Sequence, residues 1–190
     1  MCQMCDLTFF GLAEPQLPML ASYTSALQQG WSPSSSRDVS AEQLAAIAAG
    51  PKPFLSDLVS QDGTVAHSDG SSRPRLSRRL RWMWDGAFCG AINLRWQPGT
   101  EALPPDVSGH IGYGVVPWKR GHGLATRALR LMLREAGEVG LTRVTLTTDP
   151  DNIPSQRVIL ANGGTFVGEG IEPGGARKFR YQIALQPDMT

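Results

Sequence analysis

Disulfide-forming cysteines, excess charge and long apolar runs are all missing from this chain. Its three cysteines are an odd number, which argues against a disulfide framework. The formal net charge of +1 gives no electrostatic reason to expect a nucleic acid as partner. No apolar run could span a bilayer, and the N-terminus lacks the basic and then apolar regions of a secretory signal. We therefore expect a cytoplasmic protein whose partner is neither a nucleic acid nor a membrane.

The cysteines also give little reason to expect a metal. Cys2 and Cys5 have the C-x-x-C spacing found in half of a zinc site or in a redox pair. No second pair of ligands accompanies them, and chain termini are often poorly ordered. Cys89 lies inside an apolar segment, where cysteine is typically a small buried residue. The sequence therefore predicts no metal cofactor.

Length and apolar patterning predict a single domain over residues 1–190. The predicted order is β-α-α-β-β-β-α-β-α-β-β, an α/β (α+β) fold with a mainly antiparallel sheet and one parallel contact at its strand–helix–strand unit. Asp85-Gly86 between two apolar runs predicts a hairpin. Ser40 and Gln43 have the spacing of a capping box at a helix start, and Pro51 and Pro53 should end that helix. Residues 62–77 are predicted to form a mobile loop.

A short strand, a glycine turn and a long helix follow one another from residue 110 onward. The strand is predicted for residues 111–116, between Gly109 and Pro117. In the helical segment, arginines occupy the face opposite the apolar residues. Those apolar residues recur at helical spacing: Ala125, Ala128, Leu129, Met132, Ala136 and Val139.

The glycine turn has the character of an anion site. Gly121 and Gly123 let a ligand approach the backbone closely, because neither has a Cβ atom. The first turn of a helix has unpaired N–H groups, which attract phosphate. Helix starts favour Asp or Glu, but the residues here are basic or polar: Arg120, His122, Thr126 and Arg127. A bound phosphate would supply the missing negative charge.

Several interpretations of this turn can be compared on its residues. A nucleotide P-loop needs a lysine after its last glycine, and none is present. A dinucleotide fingerprint needs Gly or Ala where Thr126 stands. A plain connection, with glycines only for turning, is the remaining alternative. The pattern that fits is Arg120-x-x-Gly123-x-Ala125, preceded by Val115-Val116-Pro117, and here the chain resembles the GNAT (Gcn5-related) N-acetyltransferase superfamily.

The resemblance covers roughly residues 109–166 and includes a second motif, Asp149-Pro-Asp-Asn152-x-x-Ser155. Within the superfamily, the chain is similar to a subgroup of small, poorly characterised bacterial members. The resemblance implies a GNAT-like mixed, mostly antiparallel sheet flanked by helices, with acetyl-CoA as co-substrate and no metal. The cofactor-binding residues that it implies are Val115, Val116, Arg120, Gly121, His122, Gly123, Leu124, Ala125, Thr126, Asn152 and Ser155. It also implies a splayed strand near Gly114, where a backbone N–H could polarise the thioester carbonyl.

Acetyl transfer to an amine needs a base for the amine and an acid for the leaving thiolate. His110 is the first candidate for the base, because a free histidine titrates near neutrality; a hydrogen bond at the strand end is the alternative. Asp149 and Glu101 are weaker candidates that would act through water. The family's usual acid is a tyrosine seven residues after Asn152, where Ile159 stands. The remaining donors are Tyr113, Thr147, Ser155 and solvent.

Three residues of the Trp-Asp-Gly hairpin are candidates for the acceptor site: Trp84, Asn93 and Arg95. Arg95 stands on an otherwise apolar strand, which suggests a half-buried guanidinium that binds a carboxylate. The alternative is an edge arginine that faces water. Residues 97–108, with three prolines, form a candidate substrate loop.

The function expected from these residues is direct acetyl transfer from acetyl-CoA to a primary amine of a small-molecule or amino-acid-like acceptor. Protein acetylation at an N-terminus or a lysine is an alternative. A third possibility is a non-catalytic acyl-CoA-binding domain that lost the usual acid. Exposed edge strands are compatible with a homodimer.

Overall fold

The computed structural model describes residues 10–34, 37–61, 76–172 and 175–185, and the backbone of 64–66 and 72–74. Cys2 and Cys5 lie outside these residues. The described helices are α1 (Leu20–Gln28), α2 (Ser40–Ala49), α3 (Pro51–Val59), α4 (Leu124–Glu138) and α5 (Ile153–Leu160). The described strands are β1 (Gly11–Ala13), β2 (Thr64–Ala66), β3 (Ser72–Pro74), β4 (Ser77–Trp84), β5 (Phe88–Trp96), β6 (Ile111–Val115), β7 (Arg143–Thr148), β8 (Thr165–Ile171) and β9 (Arg177–Ala184). None of the helices in these ranges has the length and apolar character needed to cross a membrane.

The strands form two main sheets and a small hairpin. One sheet has the order β1-β4-β5-β6, the other has the order β7-β9-β8, and β2 pairs with β3 alone. Every ladder among these strands is antiparallel. The β4–β5 hairpin turns at Asp85-Gly86-Ala87, where Gly86 has a φ of 102°. The mostly antiparallel architecture with flanking helices is confirmed.

The two sheets meet where β6 and β7 begin. The His110 N–H donates to the Thr145 carbonyl at 2.7 Å, and the Thr145 N–H donates to Nδ1 of His110 at 3.0 Å. At Gly109 a Cβ atom would lie 2.8 Å from the Thr145 carbonyl oxygen, so only glycine allows this approach. Beyond this junction the described strands form no ladder between β6 and β7. The expected parallel pairing is therefore not present as a ladder in the described strands. Beyond the hydrogen bonds between His110 and Thr145 the facing edges of β6 and β7 are unpaired, and we call the gap between them the cleft.

Both faces of the first sheet are covered. On one face α4 packs its apolar stripe against Ile92 and Leu94, with Leu129 and Met132 fully buried. We call this the α4 core. The other face carries the aromatic cluster, in which Tyr23 of α1 stacks on Trp82 at a centroid distance of 4.6 Å. The cluster consists of Tyr23, Trp31, Phe54, Trp82 and Phe88.

Among the predictions about the N-terminal third, one is confirmed and two are wrong in part. The helix predicted to end before Pro51 and Pro53 does end, at Ala49, and the two prolines lie in the first turn of the next helix, α3, where a missing N–H group has little cost. Ser40 does not cap α2; instead the Asp38 carboxylate accepts a hydrogen bond from the Ser40 N–H at 2.8 Å. The segment 62–77 contains β2, β3 and the first residue of β4, while 62–63, 67–71 and 75 lie outside the described residues. The observed order therefore has one helix and one small hairpin more than predicted.

Candidate functional site

The glycine turn enters α4 with an unusual backbone. Gly121 and Gly123 have φ values of 81° and 72°, in the left-handed region that strains any residue with a Cβ atom. Gly123 is the residue before the helix, no side chain caps the helix, and its first turn contains no acidic residue. The N–H groups of the first helical turn therefore point outward without intrahelical partners. This geometry, together with the helix dipole, makes an anion site.

Two side chains fix the turn to the sheet. Nε of Arg120 donates to the Val115 carbonyl at 3.1 Å. Nζ of Lys119 forms an ion pair with Asp85 at 2.6 Å and lies 3.4 Å from Sγ of Cys89. Burial raises the pKa of the Cys89 thiol to about 12, so Cys89 is a neutral thiol in this contact. The turn is thus held against the β4–β5 hairpin, while His122 is exposed.

The backbone groups of β6 alternate between the β5 ladder and the cleft. The Val116 N–H donates to the Cys89 carbonyl at 2.9 Å, and the register pairs Gly114 with Ala91 and Gly112 with Asn93. Groups of Tyr113 and Val115 therefore face the open edge of β6. Val116 was predicted to bind the cofactor through its backbone, but its N–H group already has a partner in the sheet.

The irregularity expected in β6 lies on the neighbouring strand. β6 pairs with β5 without a register shift, whereas the β4–β5 ladder shifts next to Trp84. Gly90 of β5 has a φ of 150°, and a Cβ atom there would lie 2.2 Å from the Gly114 carbonyl oxygen. Close approach of these two backbones therefore requires a glycine on β5.

Tyr113 reaches across the cleft to the start of α5. Its hydroxyl lies 3.0 Å from Oγ of Ser155 and 3.3 Å from the Ser155 carbonyl oxygen. The Asn152 side chain caps α5 by accepting from the Ser155 N–H at 3.2 Å. Burial raises the pKa of Tyr113 to about 12, so its hydroxyl stays protonated near neutral pH. The structure thus brings together three residues that the sequence singled out separately.

His110 occupies a structural position. Its side chain is 3% exposed, and Nδ1 already accepts the Thr145 N–H. Nε2 is buried without a hydrogen-bond partner among the described residues. Burial lowers the pKa of His110, which keeps the ring neutral. A general base needs a free acceptor nitrogen directed at the substrate, so this geometry favours the strand-end alternative over the base.

The other proposed acid and base groups are also engaged. Glu101 accepts from the Thr142 N–H at 2.9 Å and pairs with Arg143 at 2.9 Å. Asp149 forms an ion pair with Lys178 at 2.6 Å. Ile159, at the position of the family's usual acid, is fully buried in the α4 core.

The predicted acceptor residues separate into two places. Asn93 and Arg95 are two residues apart on β5 and share one face, whereas Trp84 pairs with Phe88 at the far end of the hairpin. Nε of Arg95 donates to the Gly109 carbonyl at 2.8 Å, and the side chain is half-buried. Burial lowers the pKa of Arg95, while the charge of Glu172 opposes that shift. The guanidinium lies near a carboxylate and is not directed into bulk water.

Sequence reasoning missed Trp31 and Glu172. Trp31 follows α1 in a turn-rich segment, yet its Nε1 lies 3.9 Å from the position a Cβ of Gly114 would occupy. Glu172 follows β8, and its charge acts on both Arg95 and Lys178. Neither residue belongs to a motif, and only the folded chain brings them near β5 and β6.

The fold and site together place a helix start with outward-pointing N–H groups and no acidic residue in its first turn beside an open strand edge. The model of the acetyltransferase (GNAT) domain matches residues 52–165, which is more than half of the chain. The chain belongs to this acetyltransferase family, as the resemblance in its motifs implied.

Three solved structures of similar fold are distant in sequence from this chain. RimL, the ribosomal L7/L12 α-N-protein acetyltransferase in complex with coenzyme A, is 15% identical with a TM-score of 0.61, over 94% of this chain and 95% of that chain. MccE, the microcin C7 self-immunity acetyltransferase in complex with acetyl-CoA and AMP, is 14% identical with a TM-score of 0.59, over 93% of each chain. RimJ of Mycobacterium smegmatis in complex with CoA-disulfide is 20% identical with a TM-score of 0.59, over 92% of this chain and 81% of that chain. No curated protein sequence matches the chain.

Proposed function

We propose that this protein transfers an acetyl group directly from acetyl-CoA to a primary amine. The observation that carries the proposal is the start of α4, where two left-handed glycines expose backbone N–H groups with no acidic residue in the first turn. Acetyl-CoA bound there supplies a reactive thioester. Structures of MccE and RimL, similar in fold, contain acetyl-CoA and coenzyme A respectively.

The residues present fit such a cofactor along the cleft. Phosphates would be held by the N–H groups of the turn and the first helical residues, from Gly121 to Thr126, with Arg120 beside them. The amide-containing arm would pair with the edge groups of Tyr113 and Val115, like an added strand. At α5, the pair Asn152 and Ser155 would border the arm near the reacting thioester.

We assign proton donation to the hydroxyl pair of Tyr113 and Ser155. During transfer the amine forms a bond to the acyl carbon, the carbon–sulfur bond breaks, the amine loses a proton and the thiolate gains one. The hydroxyls lie 3.0 Å apart, so a proton given by one can be replaced through the other. A Tyr113→Phe variant with full kcat would remove this assignment.

Protein acetylation remains the second candidate. It is favoured by the fold shared with RimL and RimJ, of which RimL is described as a ribosomal-protein acetyltransferase. Turnover of free amines against turnover of peptide N-termini separates the two functions. A non-catalytic acyl-CoA-binding domain would bind the cofactor and acetylate neither.

Calorimetric titration with acetyl-CoA tests the cofactor site. Wild type should bind one equivalent, and Gly123→Glu should weaken binding by about 10-fold or more, because its carboxylate lies where the phosphate would bind. Gly140→Glu is the matched control: Gly140 follows the end of the same helix and has a φ of 87°, so this variant also places a glutamate on a left-handed backbone.

Three outcomes decide the proposal. Loss of binding in Gly123→Glu and not in Gly140→Glu supports the site. Equal loss in both variants would mean that strain, and not charge at the helix start, caused it. No binding by wild type would overturn the acetyltransferase proposal, whatever amines are later tested.

A further inference from the structure

We propose that the acceptor of this enzyme carries a carboxylate beside its amine, and that Arg95 binds this carboxylate in a hollow above Gly112 and Gly114. The inference rests on the proposed function, and it names the substrate class. The acceptor hollow is defined by Asn93, Arg95, Gly112, Gly114 and Trp31.

Glycines form the floor of the acceptor hollow. Apart from its chain neighbours, a Cβ atom on Gly112 would meet one atom of the described residues within 4 Å, Nη2 of Arg95 at 3.7 Å. A Cβ atom on Gly114 would likewise meet one, Nε1 of Trp31 at 3.9 Å. Side chains at these two positions would fill the face of β6 that borders the aromatic cluster. Their absence leaves room for a small ligand against the strand.

Hydrogen-bond donors surround this floor. Nε of Arg95 is held by the Gly109 carbonyl at 2.8 Å, which fixes the guanidinium above β6. In the part of the chain that the structure describes, neither Nη of Arg95 has a hydrogen-bond acceptor, and Nε1 of Trp31 has none. A planar guanidinium with free Nη groups matches the two oxygens of a carboxylate.

A second buried group points to the same place. Oδ1 of Asn93 is buried without a hydrogen-bond partner among the described residues. Asn93 lies two residues before Arg95 on β5, so the two side chains share a face. Buried amide oxygens normally have a donor, and a ligand N–H at the hollow would supply one.

The charge around the hollow suits a zwitterion. Glu172 lies near enough to Arg95 for its charge to act there, yet the two form no direct ion pair in the described structure. A ligand between them would direct its carboxylate to Arg95 and its ammonium to Glu172. Tyr113 lies between Gly112 and Gly114 in β6, but its side chain packs on the opposite face with the α4 core, so the hollow meets the proposed donor pair only along the strand backbone.

This charge pattern selects free amino-acid-like acceptors over protein termini. The N-terminal residue of a protein has an amide where a free amino acid has its carboxylate. An amide has no net charge to offset the half-buried guanidinium. The acceptor hollow therefore favours the small-molecule function over protein acetylation.

The test compares matched acceptors. The twenty L-amino acids and their amides are assayed for CoA release with saturating acetyl-CoA. At least one acid should exceed its amide in kcat/KM, and Arg95→Gln should cut turnover of that acid roughly 10- to 100-fold through KM while sparing the amide. Binding of the N-acetylated product, measured by calorimetry without acetyl-CoA, should weaken in parallel.

Matched variants keep the result interpretable if Arg95→Gln destabilises the sheet. Arg130→Gln removes an exposed arginine of α4 and should change neither measurement. Asn93→Asp keeps the side-chain shape but adds a negative charge beside Arg95. It should therefore also lower kcat/KM for the acid and leave kcat/KM for the amide unchanged. Thermal unfolding of each variant verifies that it is folded.

The opposite results would overturn the inference. Amides or peptide N-termini used as well as the acids would show that no carboxylate is recognised. An acid preference that survives both Arg95→Gln and Asn93→Asp would place recognition elsewhere. Acetyl-CoA binding without turnover of either set would reject the acceptor class while leaving the cofactor site intact, whereas absence of acetyl-CoA binding would reject the proposed function itself.

Discussion

The imidazole of His110 replaces a missing backbone contact between two strands. Its Nδ1 accepts the Thr145 N–H, while its own backbone N–H donates to the Thr145 carbonyl. His110 thus forms hydrogen bonds with both backbone polar groups of Thr145, its N–H and its carbonyl, at the point where the two sheets separate. Because the ring is buried and its pKa is lowered, protonation of His110 opposes folding.

This position of His110 predicts a pH-dependent stability. The folded protein binds fewer protons at His110 than the unfolded chain does, so the free energy of unfolding should fall as the pH drops below about 6.5. His110→Asn keeps an acceptor for the Thr145 N–H and cannot titrate. Lowering the pH from 7 to 5 should therefore reduce Tm, measured by thermal unfolding, more for wild type than for His110→Asn.

Turnover distinguishes this role from general-base catalysis. If His110 acts only as a strand contact, His110→Asn retains the kcat of wild type with its amine at pH 7.5. A loss of several orders of magnitude in kcat, at unchanged stability, would restore His110 as the base. If Tm changed equally with pH in wild type and in His110→Asn, the result would contradict a buried, neutral His110 ring.

At the scale of elements, the glycine turn depends on a contact with the hairpin at the other end of β5. Lys119 precedes the turn, and its ammonium pairs with Asp85, whose side chain is only 7% exposed. Burial is the largest single influence on the pKa of Asp85 and acts to raise it, but the hydrogen bonds from Lys119, Cys89 and the Ala87 N–H, together with the Lys119 charge, lower the pKa overall. The hairpin therefore helps to position the glycine turn, which is the proposed site for the cofactor phosphates.

Asp85→Asn should loosen the turn. The variant leaves the Lys119 ammonium partly buried without its counter-charge, and we expect a loss of about 1–3 kcal/mol in the free energy of unfolding. Urea unfolding measures this loss, and calorimetry should show weaker acetyl-CoA binding. Glu14→Gln, which neutralises an exposed carboxylate, is the control. Unchanged stability and affinity in Asp85→Asn would show that the ion pair does not hold the turn.

At the scale of the whole molecule, one sheet joins two cores. Trp82 and Met83 are adjacent in β4, yet Trp82 belongs to the aromatic cluster and Met83 to the α4 core. Alternation along the strand sends them to opposite faces. Loss of either core would expose the same strands, so both faces should unfold together.

Met132→Ala tests this coupling. Met132 is fully buried in the α4 core, and its truncation should cost about 2–5 kcal/mol. With Trp96 and Trp118 replaced by phenylalanine in both proteins, tryptophan fluorescence reports on Trp31, Trp82 and Trp84, which lie in or against the aromatic cluster, while far-ultraviolet circular dichroism reports on the helices. Both denaturation midpoints should shift by the same amount. A fluorescence midpoint that stays at its wild-type value would show two independent units.

Local patterns predicted the strand–turn–helix unit closely. β6 begins at the predicted residue, Ile111, and α4 follows the predicted amphipathic stripe. These elements depend on neighbouring residues, whose spacing is written in the chain. Pro51 and Pro53 correctly marked the end of α2, but the same local signal did not show that α3 begins at Pro51, because proline is compatible with both a helix end and a helix start.

The sequence by itself determined the family, the glycine turn with its unpaired N–H groups and the absence of an acid at Ile159, because each depends on residue types at short spacing. Only the tertiary structure decided which side chains act together. It buried His110 against Thr145, joined Tyr113 to Ser155, and placed Arg95 with Trp31 and Glu172. The physical reason is that burial and long-range contact set these roles. A hydrogen-bond partner or a charged neighbour distant in sequence leaves no periodic trace in the chain.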